Sequence, residues 1–248
     1  MFYYKDQSMT SAEEKQIDEY LILNKLPLDI LLEVRDHMIS QVAELQLQEN
    51  LSFEKAFFKT KIAWEPEFKM VKYSVFYAEE IPVIFKKIAK AKNLNIFKKA
   101  LIVAGISSIL NWVFIYTSQN FETYKVIFKI QNSLFLFSPI ILFIFNSKVR
   151  KYVKADYKYQ GKLFYSIYQK NLSLMIFSIG IMAQLLNNDG KLTYLFLRHH
   201  DEAHITSLLL TLILPFLGYT LVAFGIINFL EHKKTLIKIQ DFIKIADE

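Results

Sequence analysis

Four apolar stretches, all beyond residue 99, constrain this chain more than any other feature. They run approximately from Ala100 to Ser118, Ile127 to Asn146, Asn171 to Asn187 and Ile205 to Leu230. Each approaches the roughly 20 residues that a helix needs to cross a hydrocarbon layer ~30 Å thick. A soluble core rarely calls for four such runs in so short a length, so the spacing predicts four membrane-spanning helices. The second run carries Lys129 near its start and Pro139 inside. A lysine there can snorkel to the interface, and a proline kinks a span without abolishing it. The third run is the shortest, with Lys170 and Gln184 near its ends.

The connecting loops then set an orientation. Residues 85–99, 147–165 and 231–248 hold 16 Lys and Arg, against 4 in residues 119–129 and 188–204. By the positive-inside rule both termini are expected to face the cytoplasm. Tyr152, Tyr157, Tyr159, Phe164, Tyr165 and Tyr168 crowd the second basic loop, as an interfacial aromatic belt requires. The opening MFYYKDQSMTSAEEK lacks the apolar core of a cleavable signal, so the first span is expected to act as an internal anchor.

Composition matters because its average conceals two populations. The chain is 53% hydrophobic and 22% charged, with a mean hydropathy of +0.21. Residues 1–85 hold 9 Lys and Arg against 15 Asp and Glu, net −6; residues 86–99 hold 6 lysines and no acid; residues 100–248 hold 15 against 9. The pI of about 9.1 therefore reports topology and contact with anionic lipid, and gives no argument for direct nucleic-acid binding. The absence of cysteine excludes disulfides, thiolate zinc sites and cysteine nucleophiles.

Residues 1–85 read as a helical domain. Ile17, Tyr20, Leu21 and Asn24 follow helical spacing, and the run stops near Leu26-Pro27. Leu31, Val34, Met38, Val42 and Leu45 then share one face of a long second helix that ends near Asn50, a residue suited to a left-handed cap. Ser52 is placed to cap a third helix striped by Phe53, Phe57, Thr60 and Trp64. Pro66 is expected to open a further helix through Phe68, Val71 and Val75, interrupted at Pro82, with no strand in this region. Residues 86–99 form a basic amphipathic segment in which Lys86, Lys87, Lys90, Lys98 and Lys99 are candidates for contact with anionic lipid. It reads equally as a segment lying on the membrane or as a plain extension of the first span. Residues 231–248 are expected to form a short helix of their own, striped by Leu236, Ile239, Phe242, Ile243 and Ala246. The fold class expected is thus all-α: a small N-terminal helical bundle followed by a four-helix transmembrane domain over residues 100–230.

Tyr20-Leu21, Leu26-Pro27, Glu33 with Asp36-His37, then Leu51-Ser52 and Ala56-Phe57 carry a resemblance. Over roughly residues 15–65 the chain resembles the HAAS family, a small helical cytoplasmic domain found ahead of transmembrane segments in bacterial proteins. It departs from the family pattern at Asn50, where a turn glycine is usual, and at Trp64-Glu65-Pro66, where a Gly-x-Pro closes the third helix. The resemblance implies a bacterial inner-membrane protein that relays signals or tethers partners, among them PadR-like transcription regulators. Glu33, Asp36 and His37 lie within about one turn of helix and make one polar patch, a candidate partner surface. The plainer reading has Asp36 and His37 filling hydrogen bonds where helices meet.

The segment Arg198-His199-His200-Asp201-Glu202-Ala203-His204 is the one constellation with a catalytic look. His200 and His204 are spaced i, i+4, so on a helix both imidazoles can reach one metal, with Glu202 or Asp201 adding a carboxylate. Asp201 stands where the H-E-x-x-H pattern needs its general-base glutamate, which weighs against protease chemistry. The plainer reading makes Asp201 an N-cap at the head of the fourth span. The six glycines never cluster into a phosphate-cradling loop. Asn111 and Gln119 are the polar mid-span groups a transporter would need, and they are poor substitutes for ionisable ones. Gly218 and Gly225 offer a close helix contact and hence assembly.

No resident cofactor is expected. The expected function is non-catalytic: a membrane-anchored signalling or adaptor protein whose head binds a cytoplasmic or membrane protein partner. The alternatives are an accessory subunit of a membrane transport or assembly complex, and a metal-dependent membrane enzyme using the HDEAH segment.

Overall fold

The computed structural model describes residues 9–74, 77–154, 164–187, 189–199 and 205–240, with the backbone alone described at 74, 77–79, 199 and 205–211. Most of these residues are helical, and they divide into two compact units. One draws on Met1–Ala91, Lys154–Ile167 and Thr235–Glu248, the other on Lys92–Val153 and Tyr168–Lys234. The first unit is therefore not a contiguous stretch of chain.

In the first unit, α1 (Ser11–Leu23) begins at a capping box in which the Thr10 side chain and the Glu13 carboxylate satisfy each other's backbone amides. Its Ile17 and Leu21 are fully buried. After a turn through Lys25, whose φ is 55°, α2 (Leu28–Glu49) follows, burying Leu31, Val34, Met38 and Val42 along one stripe. Asn50 ends it in the left-handed conformation, φ 51° and ψ 43°, as its short polar side chain permits. Then α3 (Phe53–Phe68) buries Phe53, Ala56, Phe57 and Thr60. Ser52 occupies its N-cap position, but its side chain serves Glu54 rather than the helix backbone. Tyr20 of α1 meets Phe57 and Phe68 of α3 edge-on, with ring centroids 5.9 and 5.7 Å apart. The Trp64 indole donates to the Gln41 side chain of α2 at 2.7 Å.

Residues 70–82 correct the further helix and the expectation of no strand in this region, within a fold that is otherwise mostly helical. Pro66 lies inside the last turn of α3, and the chain next forms an antiparallel hairpin of β1 (Met70–Ser74) and β2 (Tyr77–Pro82). Its register pairs Met70 with Pro82, Val71 with Ile81, Lys72 with Glu80 and Ser74 with Tyr77, with an irregularity between Lys72 and Ser74. The physical reason is legible in hindsight: Val71, Tyr73, Val75 and Tyr77 alternate β-branched and aromatic residues at period two, which outweighs the three-and-four spacing of Phe68, Val71 and Val75.

Among the described residues, three helices are long and apolar enough to cross a membrane: α4 (Val83–Thr117), α5 (Phe121–Phe145) and the part of α9 from Leu212 to Lys238. At 35 residues α4 is about 52 Å long. It takes in the whole basic segment 86–99, which is a plain helical extension of the first apolar run. Its inward stripe within the second unit reads Ile96, Ala100, Ala104, Ser107, Asn111 and Ile115. Asn120 caps α5 by accepting the Thr123 amide at 2.9 Å, and Tyr124, Phe128, Asn132 and Pro139 form its buried side. A single turn, α6 (Ser147–Arg150), follows. The third apolar run is α7 (Leu172–Asn187), whose 16 residues give only about 24 Å. The loop expected at 188–204 instead holds a helix, α8 (Lys191–His199). The last, α9 (Ile205–Lys238), passes residue 230 without a break, so residues 231–238 continue the fourth apolar run rather than starting a separate helix. Residues 241–248 lie outside the described residues.

Candidate functional site

Glu33, Asp36 and His37 are exposed on α2, offset from the buried stripe of Leu31, Val34 and Met38. Asp36 is 80% exposed and stands 3.9 Å from the Arg35 guanidinium. The reading in which Asp36 and His37 fill hydrogen bonds at a helix junction is thus corrected, because Arg35 does that work. Its guanidinium donates to Asp18 at 2.6 Å and to Glu14 at 2.7 Å, joining α2 to α1. Burial acts to lower the Arg35 pKa, but the two carboxylates outweigh it and hold it above its ordinary value. At Asp18 burial wins over Arg35, and the carboxyl is pushed up. Sequence reasoning missed this triad, although Glu14 and Asp18 at i, i+4 on one helix were a visible signal.

A second missed feature lies at the Leu26-Pro27 turn. The Leu28 amide donates to the Phe164 carbonyl at 2.8 Å. The Asp29 carboxylate accepts the Ile167 amide at 3.2 Å and the Ile30 amide at 3.0 Å. Tyr165, Ser166 and Ile167 are buried in consequence, so a short piece of the second basic loop is built into the first unit.

The five lysines separate into two groups. Lys86 donates to the Lys72 carbonyl at 2.8 Å, and Lys87 pairs with Glu67 at 2.6 Å, so both tie α4 to the elements before it. Lys90, Lys98 and Lys99 are exposed.

His200, Glu202 and His204 lie outside the described residues, and among the described residues no three His, Cys, Asp or Glu side chains gather as a metal site would need. Arg198, just before them, has a structural task. It donates to the carbonyls of Ile115, at 2.9 Å, and Ser118, placing a cation on the negative end of α4. Its guanidinium lies over the Tyr194 ring, which stacks on Tyr124 at 5.2 Å between centroids. Beside it, Lys129 meets Asp189 at 2.7 Å and Lys125 meets it at 3.4 Å. The hydrogen bond from Lys129 holds the Asp189 carboxyl below its ordinary range.

Two buried tyrosine–asparagine pairs cross the second unit. The Tyr124 hydroxyl bonds to Asn111 at 3.2 Å, and the Tyr219 hydroxyl to Asn132 at 3.2 Å. The Asn132 amide in turn donates to the Phe128 carbonyl. The glycines of the fourth run serve an internal contact: a Cβ at Gly225 would stand 2.9 Å from the Met175 Cα, and one at Gly218 3.0 Å from Leu185 Cδ1. Comparison of the chain with protein-family models, with curated proteins and with solved structures finds no match.

Proposed function

We propose that the chain is a membrane-anchored adaptor of a bacterial inner membrane, whose N-terminal helical bundle binds a regulatory protein on the cytoplasmic side. The observation that carries this reading is the exposure of Glu33, Asp36 and His37 on α2. The residues behind the HAAS resemblance divide accordingly. Leu21, Leu26, Ala56 and Phe57 are interior, whereas Glu33, Asp36 and His37 are turned outward, where a partner with a basic patch can read them. The resemblance makes a PadR-like transcription regulator the partner of choice.

In this reading the chain has four spans with both termini, and so the helical bundle, on the cytoplasmic side. Loop charge supports the count, and so does the apolar surface of α7, where Ile176 and Phe177 are largely exposed. Lys90, Lys98 and Lys99 then meet anionic headgroups. The test is purification of the intact protein from native membranes with identification of what accompanies it. A double Glu33→Lys, Asp36→Lys variant, made at exposed positions and folding normally, is expected to lose a PadR-like regulator that the native protein retains. Equal recovery with both proteins would overturn the proposal.

A further inference from the structure

The start of α2 is completed by chain from far along the sequence. Pro27 holds its N-cap position and supplies no side-chain hydrogen bond, so the first-turn amides need acceptors from outside the helix. The Leu28 amide finds the Phe164 carbonyl at 2.8 Å, and the Asp29 carboxylate accepts the Ile167 amide at 3.2 Å. One residue further on, a second set of bonds begins. The Tyr168 carbonyl accepts from the Asn228 side chain of α9 at 2.9 Å, Gln169 donates to the Val153 carbonyl at 3.1 Å, and Asn171 donates to the Asn93 side chain of α4 at 3.0 Å. The first set lies within the first unit and the second within the second, and one peptide bond, from Ile167 to Tyr168, joins them. Asn171 is followed at once by α7. Residues 164–171 are therefore a strap with little slack, since neighbouring Cα atoms stay about 3.8 Å apart.

Asp29 also belongs to the acidic face of α2. Asp29, Glu33 and Asp36 stand at i, i+4 and i+7, so they share one side of the helix, opposite the buried Leu31, Val34 and Met38. Glu33 and Asp36 are exposed, and Asp29 is partly so. The carboxylate that holds the strap is thus one turn from the patch. Its bond to the Ile167 amide is at the long end of the normal range and goes to a neutral donor. A cation brought to Glu33 competes for the same carboxylate and adds a charge attraction that the amide lacks.

We propose that the strap is a release device: a basic partner surface seated on Glu33 and Asp36 draws the Asp29 carboxylate from the Ile167 amide, and the loosened strap frees the turn that starts α7. The inference rests on the reading of α2 as a partner surface and adds what occupancy of that surface does. Partner and strap compete for one carboxylate, so the strap is docked when the patch is empty and released when it is filled.

Hydrogen exchange, read amide by amide in the full chain in an uncharged detergent, tests this with no regulatory protein present. Glu33→Lys puts an ammonium one turn after Asp29, the favourable order for an i, i+4 pair, and stands in for the partner's cation. It is expected to speed exchange at the Ile167 amide roughly fivefold, the worth of one hydrogen bond. The rise should extend to Asn171 and Leu172, whose amides are bonded to the Tyr168 and Gln169 carbonyls. Glu33→Gln, and Glu44→Lys at an exposed position further along α2, are expected to match the native chain. In an Asp29→Asn background Glu33→Lys should add nothing, because an amide forms no ion pair. A short oligoarginine peptide, the probe for a basic partner, should reproduce the Glu33→Lys pattern on the native chain and not on Asp29→Asn. Equal rates in Glu33→Lys and Glu33→Gln overturn the competition for Asp29, and a rise confined to Ile167 overturns the link to α7. An oligoarginine peptide without effect on the native chain, or with the same effect on Asp29→Asn, overturns release by a basic partner. Capture of a regulator with exchange unchanged overturns this inference alone, whereas release in a chain that captures no regulator counts against the adaptor reading and not against the strap.

Discussion

Single residues in the second unit carry most of what is specific about its packing. Gly225 touches the backbone of α7 at Met175, where nothing can swing aside, whereas Gly218 faces the ends of the flexible Leu185 and Met182 side chains. Gly225→Ala is therefore expected to destabilise the protein by about 1–3 kcal/mol, and Gly218→Ala by less; thermal unfolding in detergent checks the order. Asp189 gives a pH dependence. Its carboxyl is depressed by Lys129, so its contribution is present above the ordinary carboxylate pKa and is lost as pH falls through the depressed value. The thermal midpoint should drop on acidification below about pH 4, and Asp189→Asn should flatten that drop. An unchanged profile in the variant would assign the acid sensitivity to another carboxylate.

At the scale of elements, the helices of the first unit are joined by polar clamps as well as by their apolar stripes. Arg35 binds α2 to α1, and Asp29 binds the start of α2 to residues 164–167. Arg35→Leu leaves Glu14 and Asp18 without their cation and is expected to cost about 1–2 kcal/mol. Asp29→Ala should cost about 1 kcal/mol and expose the backbone amide of Ile167 to faster hydrogen exchange. Protection unchanged at Ile167 would show that Asp29 is not what holds that strand of chain. The hairpin of β1 and β2 shows why element type was misread there. A run of thirteen residues is short enough to satisfy a helical and a strand period at once, and only the pairing of Val71 with Ile81 decides between them.

For the whole molecule, the four-span arrangement requires α7 to cross the membrane on 16 residues, fewer than the usual length. The absence of cysteine allows a clean test. With four spans, Ser147→Cys and Lys191→Cys lie on opposite sides, so a membrane-impermeant maleimide added to intact cells should label the second and spare the first. A three-span arrangement puts both on one side and gives equal labelling.

The apolar runs, the loop charge and the stripes of α1, α2 and α3 were legible because each is a local periodicity, and burial of a continuous apolar face follows from it wherever the chain goes. Asn50 was legible for the same reason, as a left-handed turn depends on little beyond the residue itself. Tertiary structure alone decided which polar groups face inward. Asn111 and Tyr124, Asn132 and Tyr219, and Arg198 with the end of α4 are 13, 87 and about 80 positions apart in the chain. No spacing rule connects residues so far apart. Their meeting depends on how helices cross, which no local period encodes.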